Sequence, residues 1–281
     1  MAFNVSTFFT RLGSAAVFSA IMLTGLLWTP WAFLLLFFIV NVLCLREYAR
    51  LCEKILDTPF TRQEKANMLA AGMALYAFLA TAPISSCGDG GTGLYRYFFY
   101  TLGLTAGFLI LFFSFRRTPK AVYLLTGLSY ISLSLGLLAH VRFQSPVLPV
   151  MLVLFIWMND TMAYLTGSFF GKTPFFPSIS PKKTIEGTVG GIIFTMAFAA
   201  VWGYFTTWFP LWQWLVWGGI AALAGTAGDL AESKLKRLAG VKDSGEMMPG
   251  HGGALDRFDS LLFAAPVAYL FALLCMACDA A

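Results

Sequence analysis

The sequence predicts an all-α integral membrane protein of about nine transmembrane helices, with the N-terminus cytoplasmic and the C-terminus external. Three observations carry that prediction. Hydrophobic residues fill 58% of the 281 positions and charged residues only 12%, against about 25% charged in a soluble domain. The apolar residues gather into nine runs of roughly membrane-spanning length, divided by charged or Pro/Gly punctuation. Finally, 17 of the 19 Lys and Arg residues fall on alternate loops between those runs. With 28 Phe and 8 Trp, disorder, collagen and coiled coil are excluded.

In order, the runs cover roughly residues 12–28, 30–45, 66–86, 97–115, 121–140, 146–169, 187–208, 212–231 and 258–278. The first is followed too promptly by the second to be a cleaved leader. It also lacks a small-residue cleavage site before Thr29-Pro30, so it is expected to stay as a helix. Together the runs leave too little chain for a second soluble domain. One set of loops holds Arg11, then Arg46 to Lys65, Arg116 to Lys120, Lys172 to Lys183, and Lys234 to Arg257. Only Arg96 and Arg142 lie opposite, so the basic side is expected to be cytoplasmic. The net charge of +5 therefore marks topology rather than nucleic-acid binding. No internal repeat points to an inverted-repeat transporter. The five Cys, including Cys275 and Cys278 as C-x-x-C, have no second pair or nearby His and read as packing thiols.

Six of the 14 acidic residues crowd between 229 and 259: Asp229, Glu232, Asp243, Glu246, Asp256 and Asp259. If the eighth helix continues past its apolar part, Asp229, Glu232, Ser233 and Lys236 share one face at i, i+3, i+4 and i+7. A carboxylate and an ammonium so placed suit a metal and a phosphate held together. The run Pro249-Gly-His-Gly-Gly253 cannot be helix interior, and its glycines let backbone N–H groups approach an anion. Asp256, Asp259 and Ser260 then open the ninth helix, where the dipole favours negative charge. Capping or solvation accounts for Glu246 and Asp259 taken alone, but poorly for the whole cluster.

A second constellation lies in and after the sixth run. Asn159 and Asp160 sit well inside apolar sequence, where a carboxylate costs at least about 2.5 kcal/mol unless it faces a cavity or a partner. Asp160, Tyr164, Gly167 and Gly171 form a stripe leading to the basic side. Function is the first expectation for Asp160, and helix packing against a buried hydroxyl or Lys is the alternative. In Ser180-Pro-Lys-Lys-Thr184, Lys182 and Lys183 suit phosphate oxygens, or serve only as topology signals. Gly167 to Thr173 is one residue short of a P-loop and follows a helix, so a Walker-type ATPase is rejected. His251 lacks a nearby nucleophile motif and His140 is expected across the membrane, which leaves hydrolase chemistry weak.

Ser233-Lys-Leu-Lys-Arg237, Lys242-Asp243, Pro249 to Gly253 and Asp256-Arg257-Phe-Asp259 together resemble the signature of the phosphatidate cytidylyltransferase family, the CDP-diacylglycerol synthases. Ser180 to Gly187 and Asn159 to Tyr164 resemble its two other recurring segments; Met248 and Ala254 depart mildly from its pattern. These motifs cover roughly 155–260, while the N-terminal half resembles the family only as hydrophobic helices. The resemblance implies transfer of CMP from CTP to phosphatidic acid, giving CDP-diacylglycerol and pyrophosphate, with Mg2+. For that reaction the expected mechanism is in-line attack of the lipid phosphate on the α-phosphorus, with pyrophosphate leaving and no covalent enzyme intermediate needed.

Carried over residue by residue, Asp229 and Asp256 are the expected metal ligands, and with Lys242, Asp243 and Arg257 the expected catalytic set. Lys182, Lys183, Ser233, Lys236, Arg237, His251, Gly252, Gly253, Asp160 and Tyr164 are the expected substrate-binding residues. Residues 1–140 are then an N-terminal block of about five helices. Residues 141–281 are a catalytic region of about four, with cytoplasmic loops at 170–187 and 232–257. A homodimer is implied, and the short N-terminus points to a prokaryotic inner membrane. The rivals are a CTP-dependent polyprenol or phytol kinase, which would release CDP, and a lipid or ion transporter, which would break no bond.

Overall fold

Three of the described helices start where the sequence supplies a side-chain cap. In the computed structural model, which describes residues 5–81, 119–247 and 252–279, α1 (Val5–Leu27) ends just before Thr29. Thr29 Oγ1 accepts from Ala32 N at 3.1 Å and Pro30 takes the first helical position, so α2 (Pro30–Leu56) follows at once. Asp57 closes α2 in the left-handed region, at φ 49°. A reciprocal box opens α3 (Arg62–Thr81): Glu64 N donates to Thr61 Oγ1 at 3.1 Å, and Thr61 N donates to Glu64 Oε2 at 2.7 Å.

The helix α4 (Pro119–Gly127) passes through a π-turn at Leu128–Leu133 into α5 (Ser134–Gln144). Then comes α6 (Val147–Phe170), and a short hairpin of β1 (Pro174–Phe176) and β2 (Ser180–Thr184), antiparallel with Pro174 opposite Thr184. Thr184 caps α7 (Ile185–Phe205) by accepting from Gly187 N at 3.1 Å. The chain ends in α8 (Leu211–Leu238) and α9 (Leu255–Asp279).

Eight of the nine expected runs coincide with these helices, and the fourth, 97–115, lies outside the described residues. Among the described residues, five stretches are long and apolar enough to cross a membrane: Pro30–Leu56, Lys120–Gln144, Val147–Phe170, Ile185–Phe205 and Leu255–Cys275. Two helices outrun their apolar parts. The second run ends near 45 but α2 continues to Leu56, and the eighth ends near 231 but α8 continues to Leu238. Hydropathy sees only the lipid-compatible portion, whereas backbone hydrogen bonding continues as long as one face still packs. The expected loop 232–257 is therefore helical at its start, and 170–187 holds a hairpin.

Helices α6, α7, α8 and α9 form the tightest bundle. Small residues let the backbones close: a Cβ on Gly191 would lie 2.8 Å from Asn159 O, and one on Gly187 would lie 2.7 Å from Ala163 O. The outward side of α7 shows Val189, Ile193, Phe194, Val201 and Tyr204, an apolar face suited to lipid. Cys44, Cys52 and Cys275 are buried, as packing residues are.

Loop contacts sort into two ends of the bundle. At one end, Lys120 Nζ donates to Pro59 O at 3.2 Å and Arg237 Nε donates to Ile179 O at 3.2 Å. At the other, Gln144, Ser145, Phe209, Gln213 and Cys275 surround an apolar cavity of about 160 Å³. The basic loops described here thus share one end. Arg142, assigned opposite them, stacks over Phe33 near the start of α2.

Candidate active site

At the basic end a cavity of about 600 Å³ opens between α6, β2, α7 and α8, within the usual range for a small-molecule site. From α6 it receives Asn159, Asp160, Tyr164 and Ser168; from β2, Lys182 and Lys183; from α8, Thr226 and Asp229. Lys183 Nζ donates to Asp229 Oδ2, and Ser233 Oγ, one turn along α8, donates to Asp229 Oδ1 at 3.2 Å. The Lys183 and Asp229 side chains keep 27% and 30% exposure, so the pair faces the open volume. Asp160 is exposed into the same space and lies within electrostatic reach of Asp229, Lys183 and Arg257. An acid deep in an apolar run is thereby placed beside a cavity that holds Lys182, Lys183 and Asp229 rather than against lipid alone. Beside it, Asn159 is buried and donates through Nδ2 to Thr226 Oγ1 at 3.2 Å, while its Oδ1 has no hydrogen-bond partner among the described residues.

The hairpin that delivers the lysines is held at its base. Glu186 accepts from Lys172 N at 3.1 Å and from Thr173 N at 3.1 Å, and Ile185 N donates to Thr173 O at 2.9 Å. Arg237 fastens its tip to the end of α8 through Ile179 O and Val241 O. Arg237 is thus engaged with backbone oxygens.

A second cluster stands at the head of α9. Lys236 Nζ lies 2.5 Å from Glu232 Oε2 and 2.6 Å from Asp256 Oδ1, with side-chain exposures of 12% for the lysine and 7% for Asp256. Asp256 Oδ2 accepts from Gly253 N at 2.7 Å, Ser244 N at 2.9 Å and Ser244 Oγ at 3.0 Å. Gly252 turns at φ 79°, and a Cβ there would stand 2.6 Å from Asp256 Oδ2. Asp256, Arg257, Asp259 and Asp160 line a smaller cavity of about 120 Å³ between α1, α6 and α9. Asp160 is common to both cavities.

The sequence-derived set therefore separates. Asp160, Tyr164, Lys182, Lys183 and Asp229 meet in the large cavity, with Ser233 supporting Asp229. Lys236, Gly252, Gly253 and Asp256 form the second cluster. Arg257 joins the small cavity; Lys242 and Asp243 are exposed on the loop and line neither; His251 lies outside the described residues. The one face expected for Asp229, Glu232, Ser233 and Lys236 is divided: Asp229, supported by Ser233, serves the large cavity, whereas Glu232 and Lys236 serve the Asp256 cluster. Among the described residues no three His, Cys, Asp or Glu side chains form a preassembled metal site.

Sequence reasoning missed Glu47. It falls beyond the apolar run of α2 among Arg46, Arg50 and Lys54, where it reads as a solvated acid. Folded, it is buried and accepts from Ala254 N, Leu255 N and Ser244 Oγ at 2.8–2.9 Å. Thr226 was missed too, as one hydroxyl in an apolar helix carries no signal.

A profile of the cytidylyltransferase family matches residues 9–275 of this chain. The phosphatidate cytidylyltransferase of Aquifex aeolicus is 39% identical over 169 residues, which is 58% of this chain and 62% of that protein. That of Staphylococcus saprophyticus is 40% identical over 148 residues, 52% of this chain and 57% of its own. That of Staphylococcus haemolyticus is 46% identical over 115 residues, 41% of this chain and 44% of its own. The matched stretches thus span less than two thirds of each relative.

Proposed function

The chain belongs to the cytidylyltransferase family, and from that premise we propose that it is a phosphatidate cytidylyltransferase, moving CMP from CTP onto phosphatidic acid. The observation that carries the reading is the large cavity. It joins two lysines and two carboxylates, Lys182, Lys183, Asp160 and Asp229, beside the outward apolar surface of α6 and α7. A polyanionic nucleotide needs the first and a two-chain lipid the second.

In this proposal an oxygen of the lipid phosphate attacks the α-phosphorus of CTP in line, forming one O–P bond as the bond to pyrophosphate breaks. Lys182 and Lys183 bind phosphate oxygens, with Lys183 leaving Asp229 as substrate enters. Tyr164, 74% exposed at the cavity rim, flanks the acyl chains together with Val189 and Ile193. Arg257 faces the smaller cavity and neutralises charge at its mouth.

Mg2+ suits a site with few carboxylates, substrate phosphates and water, and Asp229 with Asp160 offers such carboxylates to the open volume. When bound, the ion supplies charge neutralisation to the triphosphate and orientation to the reacting oxygens. Asp256 fits less directly, because both of its oxygens already accept from protein donors. As a ligand it would first have to release Lys236.

Nine crossings, a cytoplasmic active site in an inner membrane, and a homodimer complete the proposal. The sharing of one end by the described basic loops supports the single-sided site.

The test is turnover in detergent with phosphatidic acid, CTP and Mg2+, reading pyrophosphate and lipid-linked CMP with and without EDTA. Equal, chelator-sensitive appearance of both is expected. CDP as the released nucleotide would replace the reading with a lipid kinase, and untouched CTP would turn attention to transport.

A further inference from the structure

The N-terminal helices carry their charged residues near the ends of their apolar runs, and one of them sends a carboxylate into the C-terminal half. Glu47, near the end of α2 and 6% exposed, bridges two parts of the α8–α9 connection. Its Oε1 accepts from Ala254 N at 2.9 Å; its Oε2 accepts from Leu255 N at 2.8 Å and Ser244 Oγ at 2.8 Å. Ala254 and Leu255 supply N–H groups at the start of α9 that no preceding turn can satisfy, and the helix dipole favours an anion there. Ser244 Oγ, with one proton to give, also stands 3.0 Å from Asp256 Oδ2. Asp256 in turn accepts from Ser244 N and Gly253 N. Two carboxylates from distant parts of the chain thus clamp the same two loop segments, 244 and 253–255.

The glycines agree with this. A Cβ on Gly245 would come 2.7 Å from Glu47 Cδ, and one on Gly253 would come 2.6 Å from it. The loop approaches Glu47 as closely as backbone can. A buried carboxylate is costly unless hydrogen bonds replace its hydration, and here three protein donors do so.

We propose that Glu47 is a positioning residue of the transfer site: together with Asp256 it fixes Ser244 and the first turn of α9, so that Arg257 faces the smaller cavity beside Asp160, a carboxylate offered to Mg2+. The proposal rests on the cytidylyltransferase reading above. It assigns the N-terminal block a part in the chemistry beyond anchoring in lipid.

The Glu47→Gln variant tests it, since one oxygen acceptor is replaced by a donor facing donors. Expected are a fall in kcat of about tenfold or more, a KM for phosphatidic acid within about twofold, and a half-saturating Mg2+ concentration raised about tenfold. Mn2+ binding read by electron paramagnetic resonance should weaken in parallel. Amide exchange should quicken at 253–257 but not along α6 or α7. Ser244→Ala, which removes only the hydroxyl, should shift the same quantities in the same direction by less. If Glu47→Gln fails to fold, Ser244→Ala alone decides.

Wild-type kcat, Mg2+ dependence and local exchange in both variants would overturn the proposal. So would faster exchange throughout the chain with normal kcat per folded molecule, the signature of a structural cap. A wild-type protein that makes neither pyrophosphate nor CDP-lipid would instead fail the transferase reading. The clamp would then still be judged by Mn2+ binding and local exchange.

Discussion

Two lysine–aspartate pairs occupy the same end of the bundle, and their surroundings give them opposite work. Lys183–Asp229 joins a hairpin to α8 across an open cavity, with about a quarter to a third of each side chain accessible. Lys236–Asp256 joins α8 to α9 with 12% and 7% accessible, and the second Asp256 oxygen is filled by Ser244 and Gly253. A polyanion entering the cavity can exchange with the first pair, because the open volume reaches it. Exchange at the second would strip a buried carboxylate of donors, so that pair holds backbone in place. The same two residue types thus make a working contact and a structural one, and accessibility distinguishes them.

The largest effect should come from the open pair. Asp229→Asn is expected to lower turnover by about 10²–10³-fold, the scale for losing a group that stabilises developing charge, while thermal unfolding in detergent stays near wild type. Near-normal turnover would remove Asp229 from the chemistry. Asp256→Asn should act the other way round. Breaking a buried pair from one side leaves Lys236 with only Glu232, a loss of about 3–5 kcal/mol, visible as a lower melting temperature before any assay of rate. If Asp256→Asn melts normally but no longer binds metal, the two pairs are alike after all, and Asp256 is a ligand in its own right.

Lys183→Met separates them further. It removes the cation offered to phosphate and leaves Asp229 facing open solvent, so stability should barely change. The KM for CTP or phosphatidic acid should rise about tenfold, the scale of one charge-assisted hydrogen bond. An unchanged KM for both substrates, with melting lowered, would make Lys183 a structural partner like Lys236.

The sequence made the open pair readable and the closed one only half so. Asp160 and Asp229 stand out as acids beside apolar runs, and Lys182-Lys183 as adjacent cations in a stiff loop. Those are local signals of polarity where lipid forbids it, and the fold brings all four to one cavity. Asp256 was equally visible, but its immersion among Lys236, Ser244 and Gly253 depends on how the α8–α9 connection folds back. Glu47 was invisible because its partners lie about 200 positions away. A single acid among arginines gives no hint of such a contact. Helices were legible through hydropathy, whereas the ends of α2 and α8 were not. The residues that extend them are charged on one side and packed on the other.

The smallest effect sharpens the comparison most cleanly, because two glycines share a left-handed backbone but not a neighbour. Gly240 closes α8 at φ 67°, where a Cβ would meet no other described residue beyond its chain neighbours within 4 Å; Gly252 leads into α9 at φ 79°, where a Cβ would stand 2.6 Å from Asp256 Oδ2. Alanine at either position carries the left-handed penalty of roughly 1–2 kcal/mol. Gly240→Ala should therefore lower the melting temperature slightly and leave turnover and Mg2+ dependence unchanged. Gly252→Ala should add displacement of the Asp256 carboxylate and a loss of rate of a few-fold, about the cost of disturbing one hydrogen bond. Equal behaviour of the two variants would mean that the Asp256 nest yields without consequence, and the distinction between an exchanging pair and a structural pair would have to be drawn elsewhere.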